Sequence, residues 1–200
     1  MTIVTKTLDQ MLDEIKACEC SYFDFWLPIE RLDRHRIRYE LGGYLDILSS
    51  YVDQILKNIS PETGVSPDNL LATVLVQAFE NSLTRGNLRN LYLPISLKIF
   101  EGPEGVVFRI RDSGAGFDYN AILEQRRRGD GSYIQGSGMG LEVMNYKQYE
   151  VAFEGNGNTV NIMATRGYSF ERSWQVLMDD RKERGLETMN LPKDISLQKP

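Results

Sequence analysis

A β-hairpin in the middle of the chain is the sequence feature that most restricts the fold. Apolar and polar side chains alternate over residues 95–99 and again over residues 106–110, and the turn sequence Gly-Pro-Glu-Gly separates the two runs. Alternation with a period of two on both sides of a glycine-containing turn predicts two antiparallel strands that share one buried face. That face needs a covering layer of helices.

Segments with helical periodicity lie before this hairpin, and a second strand pair follows it. Apolar residues at spacings of three and four predict two long helices, the second of which starts at Ser-Pro-Asp and stops at Gly86. We expect an α+β sandwich with one mixed, mostly antiparallel sheet and helices on one face. The predicted elements are a helix within residues 1–20, a strand at 21–28, helices at 44–59 and 66–85, the central hairpin, a short helix from Gly140 and a hairpin at 151–164.

Composition narrows the class of protein. The 200 residues are 42% apolar and 26% charged, which is typical of a globular chain. The net charge of −5 disfavours direct nucleic-acid binding. No apolar run is long enough for a membrane span and the N-terminus lacks a signal-peptide core, so we expect a cytoplasmic protein without membrane contact. We divide the chain into an N-terminal extension with the first strand (1–35), a central domain (36–167) and a C-terminal helix and tail (168–200).

Cysteine and histidine are too scarce for several kinds of catalysis. Cys18 and Cys20 do not match the Cys-x-x-Cys spacing of a metal knuckle, and we expect free thiols. The single histidine, His35, offers no partner imidazole for a zinc site and no triad around it. Metal hydrolases and triad hydrolases are therefore disfavoured.

The first segment that carries chemistry follows the central hairpin and reads Asp112-Ser-Gly-Ala-Gly-Phe-Asp118. An aspartate that leaves a strand can accept hydrogen bonds from a ligand, and Gly114 and Gly116 let the backbone approach a flat ring closely. A tight turn with a solvated aspartate explains the same pattern, so this segment alone is a weak signal.

The second segment, Gly136-Ser-Gly-Met-Gly-Leu141, opens a predicted helix. Backbone N–H groups at a helix N-terminus favour phosphate binding. The segment matches neither the P-loop nor the dinucleotide fingerprint, and a flexible glycine linker is the alternative.

The third segment is the polar side of the helix that ends at Gly86. Gln77, Asn81, Thr84 and Arg85 gather opposite the apolar arc of this helix. The Asn81 amide oxygen is a ligand that Mg²⁺ accepts, although solvent exposure is the ordinary explanation for such a face.

Together, the three segments resemble the N, G1 and G2 boxes of the GHKL (Bergerat-fold) ATPases, and are most similar to the anti-sigma-factor serine kinases. The resemblance covers about residues 40–165 and implies ATP and magnesium as cofactors. It implies that Asn81 binds Mg²⁺, that Asp112 recognises the adenine amino group, and that residues 119–135 form a short lid. The nucleotide-binding residues that it implies are Asn81, Arg85, Asp112, Gly114, Gly116, Gly136, Gly138, Met139, Gly140 and Thr159.

The basic run Arg126, Arg127 and Arg128 lies in this lid. It is either a solvated basic loop or a group that reaches the γ-phosphate.

Two positions depart from the family pattern. Gln77 stands where the family has its glutamate general base, and Arg85 stands where it has a histidine. An amide cannot take a proton at neutral pH, and Glu80 is about 100° from Asn81 around the helix. The sequence therefore supports ATP binding better than ATP turnover, with Gln77 and Glu80 as the candidates for a catalytic role.

Three functions remain open. The first is an ATP-binding regulator that resembles an anti-sigma factor or serine/threonine kinase of bacterial signal transduction, with a sigma factor or an anti-anti-sigma-like protein as partner. The second is a nucleotide-gated interaction module without phosphotransfer. The third is a histidine-kinase-derived domain with His35 as phosphoacceptor, although too little sequence separates it from Asn81 for the usual dimerisation domain. A homodimer is an expectation from the family alone.

Overall fold

The computed structural model of the protein describes residues 6–25, 41–65, 69–88, 90, 92–121 and 149–167. The helices are α1 (Leu8–Ile15), α2 (Leu41–Lys57) and α3 (Asn69–Asn81), with a short 3-10 turn at Pro61–Thr63 and a π-helical turn at Ser82–Gly86. The strands are β1 (Glu19–Phe25), β2 (Ile95–Gly102), β3 (Gly105–Arg111), β4 (Glu150–Glu154) and β5 (Thr159–Thr165). Both predicted hairpins and the predicted helices before the central hairpin are therefore confirmed.

The five strands form one sheet in the order β1-β2-β3-β5-β4, and all four neighbouring pairs are antiparallel. The mixed sheet expected from the sequence is not found among the described strands. Among the described residues between β1 and β2 are the helices α2 and α3, and the last residue of β1 pairs with the first residue of β2: Phe25 lies opposite Ile95. The strand pairs β2–β3 and β4–β5 are each joined by a short turn, which permits only antiparallel pairing.

The main core lies between one face of the sheet and the helices α2 and α3. Leu71, Leu75 and Phe79 of α3 are almost fully buried there, as the apolar arc of this helix predicts. On the sheet side, Phe108 and Ile110 of β3 contribute to the same core. Burial of a large apolar side chain stabilises a fold by roughly 1.5–3 kcal/mol, so this core fixes α3 on the sheet.

Helix α1 packs on the opposite face, which corrects the expectation of helices on one face only. Its Met11 and Ile15 are fully buried and form a second core with Val107, Ala152 and Met163. The reason lies in β3 and β5, because their buried residues are consecutive rather than alternating. Strands with apolar side chains on both faces need a covering element on each face.

The edge strand β1 pairs with β2 along its whole length. Cys18, directly before β1, and Cys20, within it, are free and exposed, as expected. Within the described ranges, no helix combines the length and apolar character needed to cross a membrane.

Several predicted features lie outside the described residues. These are His35, the Ser-Pro-Asp helix start at 66–68, most of the lid with Arg126, Arg127 and Arg128, the glycine segment with Gly136, Gly138, Met139 and Gly140, the short helix that follows it, and the C-terminal segment 168–200.

Candidate functional site

Asp112 directly follows β3 and lies at one end of the sheet. Its backbone N–H donates to the Asn158 carbonyl oxygen in the turn between β4 and β5, at 3.0 Å. Asp112 is 8% exposed as a residue. The sequence predicted an aspartate aimed at a ligand, and the structure gives a carboxylate that is withdrawn from water.

The Asp112 carboxylate has protein donors. The Gly114 N–H donates to Oδ1 at 2.9 Å, and the neighbouring Ser82 side chain lowers the pKa of the carboxyl by hydrogen bonding. Burial raises the pKa of Asp112 above its ordinary value, and these hydrogen bonds and the Arg111 charge oppose that shift in part. The site therefore contains a buried carboxylate whose charged form is disfavoured by burial and stabilised in part by its protein neighbours.

Two glycines allow the C-terminal end of α3 to touch this loop. A Cβ atom on Gly86 would overlap the Asp112 carboxylate, and a Cβ atom on Gly114 would overlap the Gly86 carbonyl oxygen. Only glycine fits at either position without a shift of the chain. Gly114 thus makes a close backbone approach to Gly86.

The second glycine of the motif joins the loop to the β4–β5 turn. Gly116 has φ +81°, and a Cβ atom there would overlap the Asn156 carbonyl oxygen, which also accepts from the Phe117 N–H at 2.6 Å. The Phe117 ring packs edge-on against Phe153 with 5.5 Å between ring centroids. These contacts fix the loop after β3 against the second hairpin.

Asn87 is a buried residue of this site that was not predicted from the sequence. Its side chain is 1% exposed, and its Nδ2 donates to the carbonyl oxygens of Leu93 and Pro94 at 3.0 and 3.4 Å. Its Oδ1 accepts from the Ser113 N–H at 2.9 Å. The available signal was an amide placed directly after the helix-ending Gly86, since asparagine often bonds the backbone at such positions.

The polar side of α3 carries the other candidate residues. Asn81 is half-buried at the last residue of α3, and Arg85 is exposed on the following turn. The Gln77 Nε2 donates to Glu80 Oε2 at 3.0 Å. The Glu80 carboxylate therefore lies against the Gln77 side chain.

Thr159 lies beside Asp112 through strand pairing. It is the first residue of β5, it is buried, and it stands opposite Arg111, the residue before Asp112. The structure thus brings Asp112, Gly114, Thr159 and the end of α3 to one end of the sheet.

A cavity of about 440 Å³ lies beside the same loop. Residues 115–120 line it together with Gly155 and Asn156, and Asp112 is not part of its wall. The ring of Tyr119, one of the lining residues, stacks on Phe153 with 5.4 Å between centroids. The cavity is therefore separate from the carboxylate of the candidate site.

Among the described residues, no three His, Cys, Asp or Glu side chains lie close enough together to hold a metal ion. Asn81 offers an amide oxygen, which is a type of ligand that Mg²⁺ accepts.

No family model matches the sequence, and no curated protein matches it either.

The raised pKa of Asp112 predicts a pH-dependent effect of Asp112→Asn on stability. A carboxyl whose folded pKa lies above the ordinary value of 3.8 stabilises the fold fully below that pH, and loses this contribution as pH rises through the folded pKa. The free energy of unfolding of the unmutated protein, relative to Asp112→Asn, should therefore fall as pH rises from below 3.8 towards neutrality. Urea unfolding at a series of pH values measures this difference.

The exposed Asp118 of the same loop provides the control, through Asp118→Asn. A difference between the unmutated protein and Asp112→Asn that stays constant with pH would contradict the prediction.

Proposed function

We propose that the protein binds Mg·ATP at the end of the sheet where Asp112 lies, and that it regulates a partner protein. The proposal follows the resemblance to the anti-sigma-factor serine kinases. The partner class is a sigma factor or an anti-anti-sigma-like protein. ATP supplies a purine amino group as hydrogen-bond donor and a triphosphate that carries the metal.

The observation that carries the proposal is the buried Asp112 carboxylate between two glycines. A carboxylate is an acceptor only, and a buried one is stabilised by each additional N–H donor. The adenine amino group is such a donor, whereas the corresponding group of guanine is a carbonyl oxygen. The position of Asn81 on the adjoining end of α3 supports a metal-bound phosphate chain that runs towards this helix.

Gln77 is the observation that favours the second candidate, an interaction module without phosphotransfer. Its amide is engaged as a donor to Glu80 and cannot accept a proton from water or from a serine hydroxyl. Binding of ATP would then change the partner's affinity without consuming the nucleotide. In both candidates the nucleotide site is the same.

Titration calorimetry with ATP and with GTP, each with Mg²⁺, tests the nucleotide site. ATP should bind at least tenfold more tightly, because one lost hydrogen bond to a charged group plus an unpaired carbonyl costs about 1.5–3 kcal/mol. Equal affinities would contradict the role of Asp112. An assay of phosphate transfer to a co-purified partner then separates the two candidates.

Asn81→Ala should remove the magnesium dependence of ATP binding, since the Asn81 amide oxygen is the proposed protein ligand. The measurement is the ratio of ATP affinities with and without Mg²⁺, with circular dichroism as the check on folding. The matched control is Gln54→Ala, which removes an exposed amide from the neighbouring helix α2. A full Mg²⁺ effect in Asn81→Ala would mean that this helix end does not face the phosphates.

A further inference from the structure

The turn that follows α3 holds Asp112 through a closed set of hydrogen bonds. Ser82 and Asn87 stand at its two ends and bond each other, since the Asn87 N–H donates to the Ser82 carbonyl oxygen at 2.7 Å. The Ser82 side chain is a hydrogen-bonding neighbour that lowers the pKa of Asp112, and the Asn87 Oδ1 accepts from the Ser113 N–H at 2.9 Å. The two ends of this turn therefore contact two consecutive residues: Asp112 through its side chain and Ser113 through its backbone N–H.

The two residues that hold Asp112 are themselves buried and fixed. Ser82 is 5% exposed and Asn87 is 1% exposed. The amide of Asn87 bonds three backbone groups, which lie before β2 and after β3. A buried polar side chain with all its partners in place has one favoured orientation, because any rotation leaves a donor or acceptor unpaired.

The shape of the turn matches this arrangement. Residues Ser82–Gly86 form a π-helical turn, a geometry that is rare and frequent at functional sites. At its end Gly86 leaves the space that the carboxylate occupies. The wide turn thus brings a hydroxyl, a glycine and an amide to the same carboxylate-bearing loop.

We propose that Ser82 and Asn87 are positioning residues that aim the Asp112 carboxylate at the amino group of a purine, and so determine the preference for adenine over guanine. This inference rests on the proposed function. Neither residue needs to touch the nucleotide. A misplacement of the acceptor by about 1 Å is enough to weaken a directed interaction strongly.

A double-mutant cycle tests the inference. Ser82→Ala should lower ATP affinity about threefold to tenfold, the usual effect of one net hydrogen bond, and should leave GTP affinity unchanged. In the Asp112→Ala background, Ser82→Ala should have no further effect on ATP affinity, because the group that it orients is absent. Asn87→Ala should behave in the same way.

Thr84→Ala is the matched control, because this hydroxyl belongs to the same turn but donates to the Glu80 carbonyl oxygen. It should leave the ATP:GTP ratio unchanged. If Asn87→Ala does not fold, the cycle with Ser82→Ala decides alone.

The outcomes distinguish a failure of the proposed function from a failure of the inference about Ser82 and Asn87. Absence of ATP binding by the unmutated protein would overturn the proposed function and this inference with it. ATP binding that Ser82→Ala weakens equally in both backgrounds, or weakens equally for ATP and GTP, would overturn the inference alone.

Discussion

Exchanging the side chains at positions 77 and 80 should raise turnover of the γ-phosphate by about 10²–10⁴-fold, the usual contribution of a positioned general base. In the double variant Gln77→Glu with Glu80→Gln, the carboxylate moves to the position at which the resembled family has its glutamate. The hydrogen bond between the two side chains is kept with its direction reversed, because the amide now donates from residue 80 to residue 77. Net charge and side-chain volume stay the same.

The single variants show which carboxylate acts. Gln77→Glu alone places two carboxylates at hydrogen-bond distance, which raises the pKa of one of them and costs stability. We therefore expect a smaller gain from it than from the exchange. Glu80→Gln alone should leave the turnover of the natural protein at its low level. The measurement is phosphate release and transfer in single-turnover experiments at saturating Mg·ATP, with ATP affinity measured in parallel.

Two results would contradict this interpretation of position 77. Rapid phosphotransfer by the unmutated protein, lost in Glu80→Gln, would show that Glu80 already serves as the base from its place beside Gln77. No gain from the exchange, in a protein that binds Mg·ATP, would show that the site lacks more than a base.

Asp112→Ala should weaken ATP binding by about 1.5–3 kcal/mol, or roughly tenfold to 150-fold, because a hydrogen bond to a charged acceptor is lost and the purine amino group is left unpaired. GTP affinity should change little. Titration calorimetry of both nucleotides measures the two effects.

Asp118→Ala is the control for this variant, because Asp118 is an exposed aspartate of the same loop whose Oδ1 accepts from the Ala121 N–H. It removes the same charge six residues away and should leave the ATP:GTP ratio unchanged. If Asp118→Ala weakened ATP binding as much as Asp112→Ala, the effect would be one of net charge. The proposed role of Asp112 in adenine recognition would then be wrong.

Local periodicity was enough to predict most helices and strands, because alternation and three-to-four spacing are properties of short segments. The sheet as a whole was predicted less well. The second apolar face contains Val107 and Met163, which pack under α1. The strand pattern around these residues does not indicate that a helix covers them. Which face a short helix covers is a long-range property that no local pattern contains.

In the candidate site, too, local features could be predicted and long-range contacts could not. The role of Asp112 and its glycines could be proposed from a motif, but the contact between Gly86 and the carboxylate joins segments distant in sequence. Ser82 and Asn87 were missed for that reason, since each acts on a strand end that the sequence does not place next to it. The bond between Gln77 and Glu80 is different, because residues three apart on a helix are neighbours and the pairing was predictable.

The alternation of β3 between two cores has a consequence for the accuracy of the site. Phe108 fills the larger core and Val107 the core under α1. A slip of β3 by one residue would exchange these two side chains, and a phenylalanine ring does not fit a space shaped for valine. The same slip would carry Asp112 away from Gly86. The difference in volume between the two cores therefore disfavours every register of β3 that would displace the carboxylate.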